Sequence, residues 1–100
     1  MHRTLGSGLL ESVCEGCLAY ELSQRKIPFL RQHPVPVTYK GMQFNQGYRL
    51  DLLVNSELVV EVKAVSAIQP IHEALLLSYL KLSHCPLGLI INFHTERLNP

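Results

Sequence analysis

Three ionisable side chains stand where apolar ones are the rule. Asp51 lies inside the run Tyr48–Val54, Y-R-L-D-L-L-V, and Glu61 and Lys63 lie inside Leu58–Ala64, L-V-V-E-V-K-A. A carboxylate among Leu and Val is costly to bury unless it is compensated. Side chains alternate along a strand, so Glu61 and Lys63 share the face of Val59, while Leu58, Val60, Val62 and Ala64 face a core. The loop decides whether Asp51 joins them. A two-residue turn, Asn55-Ser56, sets Asp51 opposite Val60. A three-residue loop, Asn55-Ser56-Glu57, sets it opposite Glu61 and gathers two acids and an amine on one face. Two carboxylates that close repel unless a hard cation such as Mg2+ lies between them, and Lys63 could then activate a water for attack on a phosphodiester.

The elements that must position these groups can be read from pattern. Leu10, Val13, Cys14, Cys17, Leu18 and Leu22 recur at helical spacing, which predicts an amphipathic helix from about 8 to 26, with Arg25 and Lys26 at its C-terminal end and Pro28 beyond it. Cys14 and Cys17 then read as small buried hydrophobes, because only one other cysteine, Cys85, is present to complete a zinc site. Pro34 and Pro36 confine the extended stretch 29–40 to a sheet edge, with a hairpin at Gly41. Pro70 opens a second helix, to about Ser83, that is apolar nearly all round and should be covered on more than one side, by this domain or by a second copy as a homodimer. His72 and Glu73 in its first turn read as helix-end groups. The apolar run 87–93 reads as a buried parallel strand. The class is α/β, ordered helix, three antiparallel strands, helix, strand, with one mixed sheet of about four strands between helices.

The D-(x9)-E-x-K pattern resembles the PD-(D/E)xK nuclease superfamily. Within it the chain resembles the GxxExxY family over most of its length: G-S-G-L-L-E at 6–11, A-Y-E-L at 19–22, R-Q-H-P-V-P-V-T-Y-K-G at 31–41, G-Y-R-L-D-L-L-V at 47–54, V-V-E-V-K-A-V at 59–65, P-I-H-E-A at 70–74, L-S-Y-L-K at 77–81 and G-L-I-I-N-F at 88–93. The resemblance implies a restriction-endonuclease-like α-β-β-β-α-β core and nuclease chemistry with Mg2+ or Mn2+. Asp51, Glu61 and the backbone carbonyl of Val62 would hold the ion, Lys63 would position water, and Glu11 would be an outer ligand. Glu11 read by itself is equally a helix-terminal acid. Relatives carry a tyrosine where Cys14 stands and a glutamine where Leu75 stands, four residues before Tyr79. They also extend further at both ends, so the resemblance implies a single domain over 1–100 that is short at each terminus.

No run of eighteen apolar residues and no signal-like N-terminus is present, so a cytoplasmic protein without a membrane span is expected. Net charge is only +1. Six of the nine Lys and Arg fall in residues 1–50 and five of the eight acids in 51–100. Arg31, Lys40 and Arg49, with Tyr79, would therefore meet nucleic acid, DNA ahead of RNA, or else form a solvated rim. Two rivals to a nuclease stand beside it: a degenerate domain of the same fold that only binds nucleic acid or protein, and a structural Asp–Lys–Glu cluster.

Overall fold

The computed structural model describes residues 7–44 and 48–94. The two termini, on which the expectation of a shortened domain rests, lie outside the described residues. Eight elements follow in the order α1 (Ser7–Gln24), β1 (Phe29–Pro34), β2 (Val37–Tyr39), β3 (Met42–Phe44), β4 (Arg49–Val54), β5 (Leu58–Lys63), α2 (Pro70–Ser83) and β6 (Leu87–Asn92). Four of the strands form one sheet ordered β1-β4-β5-β6, antiparallel except for the parallel pair β5–β6. The expected core is therefore present as α1, β1, β4, β5, α2 and β6.

Both helices end for the same local reason. Lys26 (φ +57°) and His84 (φ +57°) turn left-handed. The next amides reach five residues back, Ile27 N to Leu22 O at 3.0 Å and Cys85 N to Leu80 O at 3.0 Å. These are Schellman closures, and the residues they join enter the same core layer, Leu22 with Ile27 and Leu80 with Cys85. At the start of α2, Pro70 follows Gln69, whose amide donates to Nδ1 of His72 at 2.8 Å. His72 is thus a capping residue, in line with a helix-end role.

The sheet lies between two apolar layers. Leu52, Val54, Val60 and Val62 pack under α1 with Cys14, Leu18 and Leu22. Leu50, Leu53, Val59, Val35 and Cys85 pack with Leu76, Tyr79 and Leu80 of α2. Both faces of β5 are consequently core, including the one that carries Glu61.

Three expectations are corrected, and the one for α2 is narrowed to cover by a second copy. The stretch 29–40 is not one strand: it breaks at Val35-Pro36, and β2 and β3 form a separate two-stranded sheet. Their turn, Lys40-Gly41, has both φ values positive, at +49° and +79°, as a type I′ turn requires. Strand β6 is parallel but exposed, with Leu87 at 56% and Leu89 at 46%, because among the described residues it forms the sheet edge. Helix α2 has no fully buried residue and leaves Ile71, Leu77 and Leu82 outward, so one side alone is covered by this domain. Cys17 is exposed, because the inward side of α1 runs through Glu15, Leu18, Ala19 and Leu22; Cys14 packs against the same core layer as Leu18 and Leu22 but is only half-buried.

Candidate active site

The hairpin register decides where the acids fall. Val54 pairs with Leu58, Leu53 with Val59 and Leu52 with Val60, so the loop is the three-residue Asn55-Ser56-Glu57 and Asp51 comes level with Glu61. Beyond Leu52 the backbone ladder gives way to side chains. Glu61 Oε2 accepts the amide of Asp51 at 3.1 Å, and Asp51 Oδ2 accepts the amide of Val62 at 2.7 Å. The two strands thus part at this level, and each carboxylate sits in the opening.

On the other side of β4, Gln32 of β1 faces the same level. The β1–β4 pairing runs from Phe29↔Val54 to Arg31↔Leu52 and resumes at His33↔Leu50, passing over Gln32, whose φ is +50°. Across that level the alternation of β4 also breaks, since Leu50 packs with Leu53 and Val59 on the α2 side.

Helix α1 adds two acids. Glu11 Oε2 accepts the amide of Ala64, just past β5, at 3.0 Å. Glu15 is buried, at 6% exposure, and holds Arg31 Nε at 3.0 Å and Gln32 Nε2 at 2.7 Å. With Gly8, Ser12 and Asp51 these side chains line a cleft of about 250 Å³.

Electrostatics follow from burial and like charge. Burial raises the Asp51 carboxyl above its ordinary range and nearby Glu15 adds to this; the Val62 amide, Lys63 and Gln32 oppose it. Glu61 is pushed from 4.5 up to about 7, first by burial and then by Asp51, again against the pull of Lys63. Lys63 itself makes no direct ion pair among the described residues. Tyr79, half-buried on α2, has its phenol raised by burial, then by Glu61, and its ring meets that of Tyr48 edge-on at 6.2 Å. It packs from α2 against the layer of Leu50, Leu53 and Val59, near enough to Glu61 to feel its charge.

Of the candidate residues, Asp51, Glu61, Lys63, Val62, Glu11 and Tyr79 gather at this opening. Arg31 is drawn to Glu15, and Arg49 Nη1 reaches the carbonyl of Gln32 at 3.5 Å. Lys40 instead lies in the turn of the outlying hairpin β2–β3. Sequence reasoning passed over Glu15 and Gln32. The spacing Glu11–Glu15 on a helix whose next inward residues are Leu18 and Leu22 was the available signal for the first. A left-handed glutamine leaves no such mark.

The sequence matches the model of the PD-(D/E)XK nuclease superfamily over residues 1–100. The chain belongs to that superfamily. The mixed four-stranded sheet between helices agrees with its restriction-endonuclease-like fold. No curated protein and no solved structure matches.

Members of the superfamily generally use divalent metals, and the fit can be tested on the donor set. Among the described residues no group of three or more His, Cys, Asp or Glu side chains is arranged to hold a metal. Two carboxylates do converge, both with raised pKa and both bonded only by neutral donors. Mg2+ is commonly held by one or two carboxylates with water and phosphate oxygens completing the shell, so the pair fits that ion without a third acid.

Proposed function

We propose that the protein hydrolyses phosphodiester bonds in nucleic acid with Mg2+ or Mn2+, as a member of the GxxExxY group within its superfamily. The observation that carries the reading is the Asp51–Glu61 pair: two converging acids, Glu61 buried and Asp51 half-buried, that make no ion pair among the described residues and stand near Lys63. Asp51, Glu61 and the carbonyl of Val62 would hold the ion, which would polarise a phosphoryl oxygen and acidify a bound water. Lys63 orients the attacking water and offsets charge as the phosphorus centre becomes five-coordinate. Glu11, tied to the Ala64 amide, fixes the end of β5 next to Lys63 and supplies an outer carboxylate. Arg31, Arg49 and Tyr79 border the acids and would meet the nucleic-acid backbone, with Lys40 further out and DNA favoured over RNA. A second copy docking on the exposed Ile71, Leu77 and Leu82 completes the reading as a cytoplasmic homodimer.

One observation favours a second reading, a binding domain without catalysis. Leu75 and Cys14 stand where the resemblance places a glutamine and a tyrosine, and the amides of Asp51 and Val62 already occupy one oxygen of each acid. Calorimetry with Mn2+ on the wild type and on Asp51→Asn, followed by cleavage assays on DNA and RNA, separates the two. The nuclease reading expects binding that Asp51→Asn abolishes, and cleavage that follows binding. Metal binding equal in both proteins, or nucleic-acid binding without cleavage at any metal concentration, supports the second.

A further inference from the structure

Gln32 breaks strand β1 at its middle. A non-glycine residue at φ +50° is strained, and such positions persist only where the surroundings impose them. The kink has a geometrical result. Arg31 and Gln32, which alternation would send to opposite faces, both reach Glu15, at 3.0 Å and 2.7 Å. The same Gln32 Nε2 also lies 3.4 Å from Asp51 Oδ1. Both neighbours are carboxylates, so the nitrogen end of the amide must face them, with one hydrogen for each.

The chemistry of the three donors is sorted by charge. The guanidinium of Arg31 goes to Glu15, whereas Asp51 receives only neutral groups: the carboxamide of Gln32 on Oδ1 and the Val62 amide on Oδ2. A lysine or arginine at position 32 would cancel the charge of Asp51. We propose that Gln32 is a positioning residue of the acid site, strapping Asp51 to the buried Glu15 of α1 so that its carboxylate is aimed but stays available to a cation. The role in metal binding rests on the reading under Proposed function; the aiming of Asp51 does not.

Gln32→Gly separates the backbone from the carboxamide, because glycine accepts the left-handed φ at no steric cost. In metal-free protein, relief of the strain at position 32 offsets part of the loss of the bonds to Glu15 and Asp51, so Gln32→Gly should still fold and melt cooperatively. The Val62 amide, which reports the aim of Asp51, should exchange roughly tenfold faster, the effect of losing about one ordinary hydrogen bond. Other β5 amides should keep their rates. Mn2+ affinity should fall by about 10–100-fold, as when a residue supporting a metal ligand is removed. Gln32→Asn, which tolerates the same φ but is one methylene shorter, should reproduce the affinity loss and serves if the glycine variant folds poorly. Unchanged Val62 exchange overturns the proposal, whether or not metal binds. Faster Val62 exchange with unchanged Mn2+ affinity also overturns it. Faster exchange in a protein whose wild type binds no Mn2+ upholds the aiming of Asp51 and sinks the metal reading instead.

Discussion

Asp51 and Glu61 face one another across the β4–β5 hairpin, and each takes its hydrogen bond from the other's strand: Glu61 Oε2 accepts the Asp51 amide at 3.1 Å, and Asp51 Oδ2 accepts the Val62 amide at 2.7 Å. The exchange replaces a rung of the ladder, so both side chains are fixed by the backbone that carries them. Amides satisfy lone pairs but add no net positive charge. The repulsion between the two acids is therefore left to Lys63, which makes no direct ion pair among the described residues.

That imbalance sets a pH dependence. Glu61 has its pKa raised in the folded state, from 4.5 to about 7, so the folded protein holds this proton more tightly than the unfolded chain. The associated stability is fully present below about pH 4.5, declines as pH rises, and is lost above about pH 7; a shift of that size corresponds to roughly 3 kcal/mol. Asp51, also raised, acts in the same direction. The metal-free melting temperature should thus fall between pH 4.5 and 7, and Glu61→Gln should flatten the slope. Saturating Mg2+ should flatten it too, since a bound cation favours the ionised pair. A wild-type melting temperature that rises steadily over this range would show that Glu61 is not held protonated.

Arg31 compensates a buried acid. Glu15 is 6% exposed, and Arg31 is its cationic partner. Removing the arginine strands that charge, so Arg31→Ala should cost about 1–3 kcal/mol, less than for a fully enclosed pair because the guanidinium is half in solvent. Glu15→Gln, which keeps an acceptor for Arg31 without a charge to compensate, should cost less. The double variant should resemble Glu15→Gln, and denaturant melts of all four proteins give the coupling directly. Additive losses would mean that Arg31 stabilises through its stem and not through Glu15.

Glu11 ties the first turns of α1 to the exit of β5 through the Ala64 amide at 3.0 Å. Glu11→Gln retains an acceptor there and should leave stability nearly unchanged. Glu11→Ala orphans the amide and should cost about 1 kcal/mol, with faster exchange at Ala64. If Glu11 also serves as an outer carboxylate, Glu11→Gln should weaken Mn2+ while leaving Ala64 exchange alone. Equal Mn2+ affinity in Glu11→Gln and wild type would confine Glu11 to its structural bond.

Much of this was legible in the chain. Odd loop parity placed Asp51 against Glu61, and Pro70 with the leucine-rich run after it marked α2 to its ends. What the sequence hid are events that period and propensity do not encode. Both left-handed helix closures fall on Lys26 and His84, residues with no glycine signal. Gln32 takes a conformation that only its surroundings explain. The exposure of β6 depends on what lies beside it, and an apolar run reads alike whether its outer edge is covered or open. Glu15 looked like an ordinary helical acid because its partner Arg31 lies 16 residues away, in a strand.

Leu75 stands where the resemblance to related nucleases places a glutamine. It lies one turn before Tyr79 on the same helix face, and burial and Glu61 raise the phenol of Tyr79, so that face borders the acid pair. Leu75 is 37% exposed and stands outside both apolar clusters. Leu75→Gln should consequently alter stability by no more than about 0.5 kcal/mol. In the nuclease reading the new carboxamide restores a polar contact to substrate or water, and loss of one such positioned group typically slows turnover by ~10²-fold. Slow wild-type cleavage that Leu75→Gln accelerates, at unchanged Mn2+ affinity, is the expected result. Nuclease rate and thermal melting measured together settle the direction of the helix. A large fall in melting temperature without gain in cleavage would mean that Leu75 is core and that α2 turns another face to the acids, and the binding-domain reading would then be the better one.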